Sequence, residues 1–343
     1  MTEQRELNSL IASFTRLSIP LKPNSLLYER LGVLNPACVR LRDGTLQLYP
    51  RMVAPGNISR IGSFRAHQRR DGGIELKKRG FALEPKAPYE LRDAPGGYGC
   101  EDPRVTFIKA LDRYVMAYVA FGPAGPEVAV AISQDGLEWE RLGPVRFEGS
   151  DVPIADKDAA FFPEPILSPN GVPSFAIYHR PTFATSAHEG IAIGYVSVAA
   201  AQVDLHNLCT VTESHILVLP EANWGKIKVG AGTPPIRIRE GWLALIHGVD
   251  EFEDPSGAVL RRYCAGVIIH DAEHIEQVIF RSSEPLFVPE VAGEMNGTVG
   301  HVVFPTGIDA QSERVFDIYY GMADYEIGRG RLVLHDHGPD DPI

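Results

Sequence analysis

TLQLYPR (45–51), YVMAYVAF (114–121), SFAIYHR (174–180), WLALIHG (242–248) and VFDIYYG (315–321) are five versions of one local pattern, an alternating strand-like run ending on a polar or aromatic tip. Aligned on Tyr49, Tyr118, Tyr178, Ile246 and Tyr319, they recur at 69, 60, 68 and 73 residues (118−49, 178−118, 246−178, 319−246). A nearly constant interval means one supersecondary unit used five times. Radial repetition is one way an all-β chain protects its strand edges, and about 40 to 50 residues make a four-stranded unit. The longer interval here leaves room for loops on one face. In a closed ring the tips converge on one mouth, so the repeat predicts that Arg51, His179, Arg180, His247 and Tyr320 surround the chemistry.

A second series supports the period. GFALEP (80–85), GPVRFEG (143–149), HILVLP (215–220) and EPLFVP (284–289) each close a stretch whose alternation fits half-buried strands. Helical periodicity is confined to residues 1–17, where Leu7, Leu10, Ile11, Phe14 and Leu17 predict an amphipathic helix, available to pack on its own chain or on a second copy. The 343 residues contain no linker or low-complexity tract, and the 27 prolines and 33 glycines are spread as turn punctuation. The expected division is an N-terminal extension (1–30), one all-β ring (31–330) and a frayed tail (331–343).

Formal charge is −11, which argues against a nucleic-acid or anionic-membrane surface. The N-terminus is charged and has no apolar core of a leader, so the expectation is a cytoplasmic protein. Cys38, Cys100, Cys209 and Cys264 are far apart without CxxC spacing, which predicts free buried thiols and no metal site.

GGYGCEDPRV (96–105) is the most unusual segment. Pro103 favours an extended Asp102 and fixes the direction of the strand that follows. Its plain reading is an Asp-Pro turn with Glu101 paired to Arg104; its place beside the mouth suggests a rigidly held carboxylate. In DKDAAFFPEPI (156–166), Lys157 and Asp158 are either a local surface pair or part of the lining. KVGAGTPPI (228–236) lacks the spacing of a nucleotide P-loop. Its Gly230 and Gly232 suggest a close backbone approach to a ligand, and Lys228 supplies a cation. With His179, Arg180 and His247 it describes an anion site.

In this order NPA (35–37), ISRIG (58–62), CEDPRV (100–105), KDAAFFPE (157–164), YHRP (178–181), KVGAGTPPI (228–236), GWLALIHG (241–248), RSSEPLFVP (281–289), VVFPTG (302–307) and YYGMAD (319–324) resemble glycoside hydrolase family 130, the β-mannoside phosphorylases and related β-mannosidases. The resemblance runs over roughly residues 30 to 325. It implies a five-bladed β-propeller with an axial site and Asp102 as the general acid, working through the mannose 3-hydroxyl. It implies Arg180, Lys228, His247 and Tyr263 as phosphate contacts, and Asn35, Arg51, Arg60, Glu101, Lys157, Asp158, His179 and Asp324 around the sugar. Phosphate is then the co-substrate, with no further cofactor.

An oxocarbenium-like transition state needs one acid and an opposed nucleophile. Phosphate brings its own charge and needs cations for position, whereas water needs a protein base. Three basic positions favour inverting phosphorolysis of β-mannosides to α-mannose 1-phosphate. An inverting β-mannosidase using Glu164 or Glu189 as base, and a non-catalytic propeller that binds glycans or a protein, are the competing readings. The rim loops YELRDAPGGYG (89–99) and TFATSAHEG (182–190) set acceptor size, and neither β-1,4 nor β-1,2 linkage is assigned.

Overall fold

The computed structural model describes residues 11–149, 152–182, 189–221, 224–254 and 256–335, and these are built from antiparallel strands with only short helical turns between them. Strand β1 (Ile11–Leu21) comes first in the chain. Strands β2 (Gly32–Arg40), β3 (Leu46–Ala54), β4 (Ile58–Gln68) and β5 (Ile74–Leu83) pair in order. Strands β6 (Tyr98–Ile108), β7 (Arg113–Gly122), β8 (Gly125–Ser133) and β9 (Glu140–Pro144) repeat the arrangement. A short parallel contact, Ile58 and Ser59 against Tyr98 and Gly99, joins these two sets.

After β10 (Arg146–Phe147), strands β11 (Asp156–Phe161) and β12 (Ile166–Leu167) both pair with β13 (Pro173–Pro181). Strand β14 (Ile191–Ser197) follows and, past β15 (Thr210–Val211), pairs with β16 (Glu213–Val218). Strands β17 (Lys228–Ala231) and β18 (Ile236–Ile238) share β19 (Gly241–Glu253), which leads to β20 (Val259–His270) and β21 (Val278–Arg281). Strands β22 (Val303–Ala310), β23 (Val315–Met322) and β24 (Glu326–His335) complete the described chain, and β1 returns from the N-terminus to pair with β24.

The apolar cores lie between consecutive strand sets. One packs Tyr49 and Ile61 against Val105 and Met116; the next packs Val115 and Val130 against Phe161 and Phe175. Tyr178 and Ile193 meet Val229 and Ile246, and Leu245 and Val267 meet Val303 and Ile318. Tyr319 of β23 packs with Val33, Cys38 and Leu48, so the last set also meets the first. The aligned residues Tyr49, Tyr118, Tyr178, Ile246 and Tyr319 are all buried, each on the second strand of its set. The periodic positions are therefore core positions, and the tips beyond them are carried by a rigid base. All four cysteines are free and buried.

The expected N-terminal helix is corrected where it is described. Residues 11–17 are strand; Leu7 and Leu10 lie outside the described residues. Period-two burial wins over the helical spacing, with Ala12, Phe14 and Arg16 turned inward and Ser13, Thr15 and Leu17 outward. The reason is tertiary. The edge of β24 has unpaired backbone groups that a strand satisfies and a helix does not, and local propensity is weak against such a partner. Phe14 stacks on Phe287 at 3.8 Å, and Arg16 donates to Glu294 through Nε (2.8 Å) and Nη2 (2.9 Å). Glu294 is fully buried and also accepts from Tyr320 Oη at 2.9 Å. The expected boundaries shift for the same reason: β1 belongs to the last strand set, and β24 crosses residue 330 without a break.

Arg16→Ala removes the cation from a buried carboxylate that keeps its tyrosine and backbone donors. The expected loss is about 1–3 kcal/mol, read as a fall of about 2–6 °C in the thermal midpoint. A circular-dichroism melt with an unchanged midpoint refutes the role of β1 as a structural closure.

Candidate active site

The first strands of three sets share a device at one end. Pairing of β2 with β3 slips between Leu34 and Ala37, that of β6 with β7 between Glu101 and Arg104, and that of β11 with β13 between Lys157 and Ala160. Inside each slip sits a polar residue at positive φ: Asn35 (45°), Asp102 (43°) and Asp158 (56°). A bulge re-aims a side chain that regular alternation would send into the core, and Asn and Asp tolerate the left-handed region better than bulky residues. Three neighbouring strand sets thus turn an amide and two carboxylates toward one place.

Asp102 Oδ1 accepts from Asn35 Nδ2 at 2.9 Å and lies 3.3 Å from Arg51 Nη1. Arg51 is oriented by Ser59 Oγ (2.9 Å from Nε) and by Glu101 Oε1 (2.8 Å from Nη2), and Lys157 Nζ stands 3.9 Å from Glu101 Oε2. Burial pushes the Asp102 carboxyl up, but Arg51, Arg104, Lys157 and the Asn35 amide together hold it below its ordinary value. Half-buried Asp324, also at positive φ (50°), is pushed up to about 6 by burial, with Arg51 opposing and Asp102 and Glu101 reinforcing. Asn35 Oδ1 is buried and accepts no hydrogen bond among the described residues.

The second carboxylate organises the cations. Asp158 Oδ2 accepts from Arg180 Nε at 2.6 Å and lies 3.6 Å from His247 Nε2, while Oδ1 is 3.5 Å from Arg104 Nη2. Burial raises Asp158, yet Arg180, His247 and Arg104 hold it well below the usual carboxylate range. Burial takes His247 down to about 3, helped by Arg180, Arg104 and Lys228 against Asp158, so its imidazole is neutral near pH 7. Its Nδ1 is buried and makes no hydrogen bond among the described residues. Tyr263 stacks on His247 at 6.0 Å, and Lys228 Nζ lies 5.6 Å from the centre of the Tyr263 ring. The remaining face of Arg180, through Nη1, meets the Glu189 carboxylate.

Asn35, Arg51, Glu101, Asp102, Lys157 and Asp324 thus form one group, and Asp158, Arg180, Lys228, His247 and Tyr263 the adjoining one. Two further expected sugar contacts have protein partners of their own. His179 spends both ring nitrogens on the protein, with Nδ1 2.7 Å from Asp156 Oδ2 and Nε2 2.8 Å from Ser214 Oγ, so it is a buried strut. Arg60 donates through Nε to Glu84 at 3.3 Å, while its buried Nη1 has no hydrogen-bond partner among the described residues. Glu101 pairs with Arg51 in place of the expected Arg104, and Asp158 is buried rather than a surface partner of Lys157. Glu164 is exposed beyond the end of β11, and residues 183–188 of the rim loop lie outside the described residues.

The glycines of KVGAGTPPI are corrected as well. A Cβ on Gly230 would stand 2.3 Å from His247 Cε1 and 2.5 Å from Asp158 Oδ2, and one on Gly232 2.6 Å from Pro305 O. They admit the protein's own groups and not a ligand. Sequence reasoning missed Arg104, which is fully buried and donates to the carbonyls of Asp102 (3.0 Å), Gly232 (2.9 Å) and Ala231 (3.2 Å). It also missed Asp156, whose Oδ1 accepts from the Arg180 backbone N–H at 2.9 Å. The signal for Arg104 was its position one step after Asp-Pro, inside an otherwise apolar strand.

Residues 14–335 match the model of a family described as beta-1,4-mannooligosaccharide phosphorylase, glycoside hydrolase family 130. A 1,2-beta-oligomannan phosphorylase of Thermoanaerobacter sp. (strain X514) is 28% identical over 90% of this chain and 92% of its own length. A beta-1,2-mannobiose phosphorylase of the same organism is 30% identical, covering 67% of this chain and 66% of its own. The beta-1,2-mannobiose phosphorylase of Listeria innocua, solved with beta-1,2-mannobiose, has the same fold, with a TM-score of 0.72, 22% identity and coverage of 93% and 96% of the two chains. The chain belongs to glycoside hydrolase family 130.

Asp324 yields a pH prediction. Its folded pKa of about 6 lies above the ordinary carboxyl value, so the folded state holds the proton more tightly. That contribution is complete below about pH 4 and is lost as pH rises through 6, a span of up to about 3 kcal/mol at about 1.4 kcal/mol per unit. Asp324→Asn should raise stability at pH 7 relative to the parent and leave the two alike at pH 4, as read by urea midpoints. Equal offsets at both pH values contradict the assignment.

Proposed function

We propose that this chain, as a member of family 130, is an inverting β-mannoside phosphorylase that converts a β-mannosyl oligosaccharide and inorganic phosphate to α-mannose 1-phosphate and a shortened acceptor. The observation that carries the reading is the grouping of Arg180, Lys228, His247 and Tyr263 beside the carboxylate of Asp102. The family description and the names of the curated relatives support it, and because those names include both 1,2- and 1,4-linked substrates the linkage is left to the rim loops. The fold in this reading is a five-bladed β-propeller. Its support is the five strand sets, the cores between consecutive sets including last and first, and the buried residue that marks the same position in each.

In this mechanism mannose sits over Asn35, Arg51 and Asp102. A phosphate oxygen held by Arg180 and Lys228 attacks the anomeric carbon from the face opposite the leaving group. The bond to the acceptor oxygen breaks, and that oxygen takes a proton from the mannose 3-hydroxyl, which is resupplied by Asp102. In the empty site Asp102 is ionised. A sugar that draws Asn35 Nδ2 and Arg51 Nη1 to its own hydroxyls removes two contacts that keep it so and deepens its burial. Both changes raise its affinity for a proton as the site fills. His247 offers its open Nδ1 to the phosphate as a neutral partner. The nucleophile carries its own charge, so no protein base is required.

The test is incubation with β-1,2- and β-1,4-mannobiose, with and without phosphate, assayed for mannose 1-phosphate and free mannose. Phosphate-dependent mannose 1-phosphate is expected. Asp102→Asn should lower turnover by about 10² or more. Arg180→Ala should weaken apparent phosphate affinity by about one to two decades while changing mannoside affinity less. Release of free mannose at equal rates with and without phosphate overturns the phosphorylase reading in favour of a hydrolase.

A further inference from the structure

Arg180 carries two carboxylates. Nε is taken by Asp158 at 2.6 Å, and Nη1, on the side away from it, is taken by Glu189. The Arg180 side chain is 8% exposed and that of Glu189 34%, so Glu189 approaches from the open side. It is not a loose surface acid. The Glu189 carbonyl accepts from Val229 N at 3.0 Å, and its backbone bridges to Lys228 in parallel. The next residue, Gly190, runs so close to Val218 that a Cβ would stand 2.4 Å from the carbonyl oxygen. Glu189 is therefore pinned between the strand set that carries Arg180 and the one that carries Lys228 and His247. No step of the mechanism above uses it, yet its carboxylate occupies the guanidinium edge that a phosphate needs.

We propose that Glu189 is a built-in counter-anion of the phosphate clamp, holding Arg180 when the site is empty and yielding Nη1 to phosphate when it binds. The inference rests on the phosphorylase reading and adds a residue that sets phosphate affinity. Buried Asp158 accepts from Arg180 and faces Arg104; Asp102 and Asp156 add negative charge near those two guanidiniums, and Lys228 adds a further cation beside His247. Glu189 meets the Nη1 edge that Asp158 does not reach, and a guanidinium donor left without a partner at low exposure is costly. Once phosphate arrives, the displaced carboxylate stays tethered by its backbone and repels the incoming charge. The sign of its effect is therefore opposite to that of an ordinary site residue, since removing its charge tightens phosphate.

The experiment is calorimetric titration of inorganic phosphate, in the presence of mannose, into the parent, Glu189→Gln, Arg180→Ala and the double variant. Two unit charges about 4 Å apart and screened by water, as the open side of Glu189 allows, predict phosphate binding about five-fold tighter in Glu189→Gln. The gain should vanish when the same change is made on Arg180→Ala. Glu189→Ala serves as a second variant should the amide form a substitute bond to Arg180. Unchanged or weaker phosphate binding in both Glu189 variants, with the parent still making mannose 1-phosphate, overturns the counter-anion role alone. A parent that binds no phosphate and releases only free mannose overturns the phosphorylase reading and this inference with it.

Discussion

The guanidinium of Arg104 is the constraint on which the site depends. It leaves β6 fully buried, donates to the carbonyls of Asp102, Ala231 and Gly232, faces Asp158 and lies over the ring of Phe304 at 5.6 Å. One side chain thus touches β6, the Asp158 strand, the end of β17 and the strand of Phe304. A buried cation is tolerated only when its donors are met, and here backbone carbonyls meet most of them. The bond to the Asp102 carbonyl also braces the left-handed backbone that aims Asp102. The contact with Asp158 couples that brace to Arg180 and His247. The group around Asp102 and the group around Asp158 are therefore parts of one framework.

That framework explains why the strained residues cluster. Asn35, Asp102 and Asp158 each hold a positive φ in a bulge, a conformation that persists only where surroundings over-determine it. Their side chains supply part of that determination through Asn35 Nδ2 to Asp102 Oδ1 and Asp158 Oδ2 to Arg180 Nε. Gly230 completes the fit by leaving the space where His247 and Asp158 approach each other. A bulge that alters strand pairing by one residue converts a core-facing position into a site-facing one. The same supersecondary unit, repeated, therefore delivers different chemistry from each copy.

The electrostatics run against the overall charge. A chain of formal charge −11 brings Arg104 and Arg180 together around Asp158, which is held ionised, with Lys228 nearby and His247 kept neutral by burial. On the neighbouring side Arg51 balances Asp102 and Glu101, while Asp324 is left to hold a proton more readily. The two neighbouring groups thus differ in charge, cations gathered around Asp158 and carboxylates around Arg51.

The sequence by itself determined the all-β class, the recurrence and its core positions, because a strand's period and a repeat's interval are local properties. Tyr49, Tyr118, Tyr178, Ile246 and Tyr319 were legible as equivalent, and the tips Arg51, Arg180 and His247 followed from them, while the expected tip Tyr320 is buried against Phe14 and Phe287 and donates to Glu294. Asp102 stood out because Asp-Pro constrains the backbone, but the extended conformation expected for it gives way to a left-handed one (φ 43°) inside the bulge of β6. Only the tertiary structure decided what those tips pair with. His179 and Arg180 are adjacent and equally polar, yet strand alternation and the Asp156 carboxylate turn one into a strut and leave the other to Asp158 and Glu189. Arg104 read as Glu101's partner until strands far away in sequence supplied its carbonyls. The N-terminal segment has helical spacing, and the free edge of β24, more than 300 residues away by the pairing of Ile11 with His335, made it a strand. Local spacing fixes which face a residue can occupy; long-range pairing decides what that face meets, and no reading of neighbours along the chain contains that information.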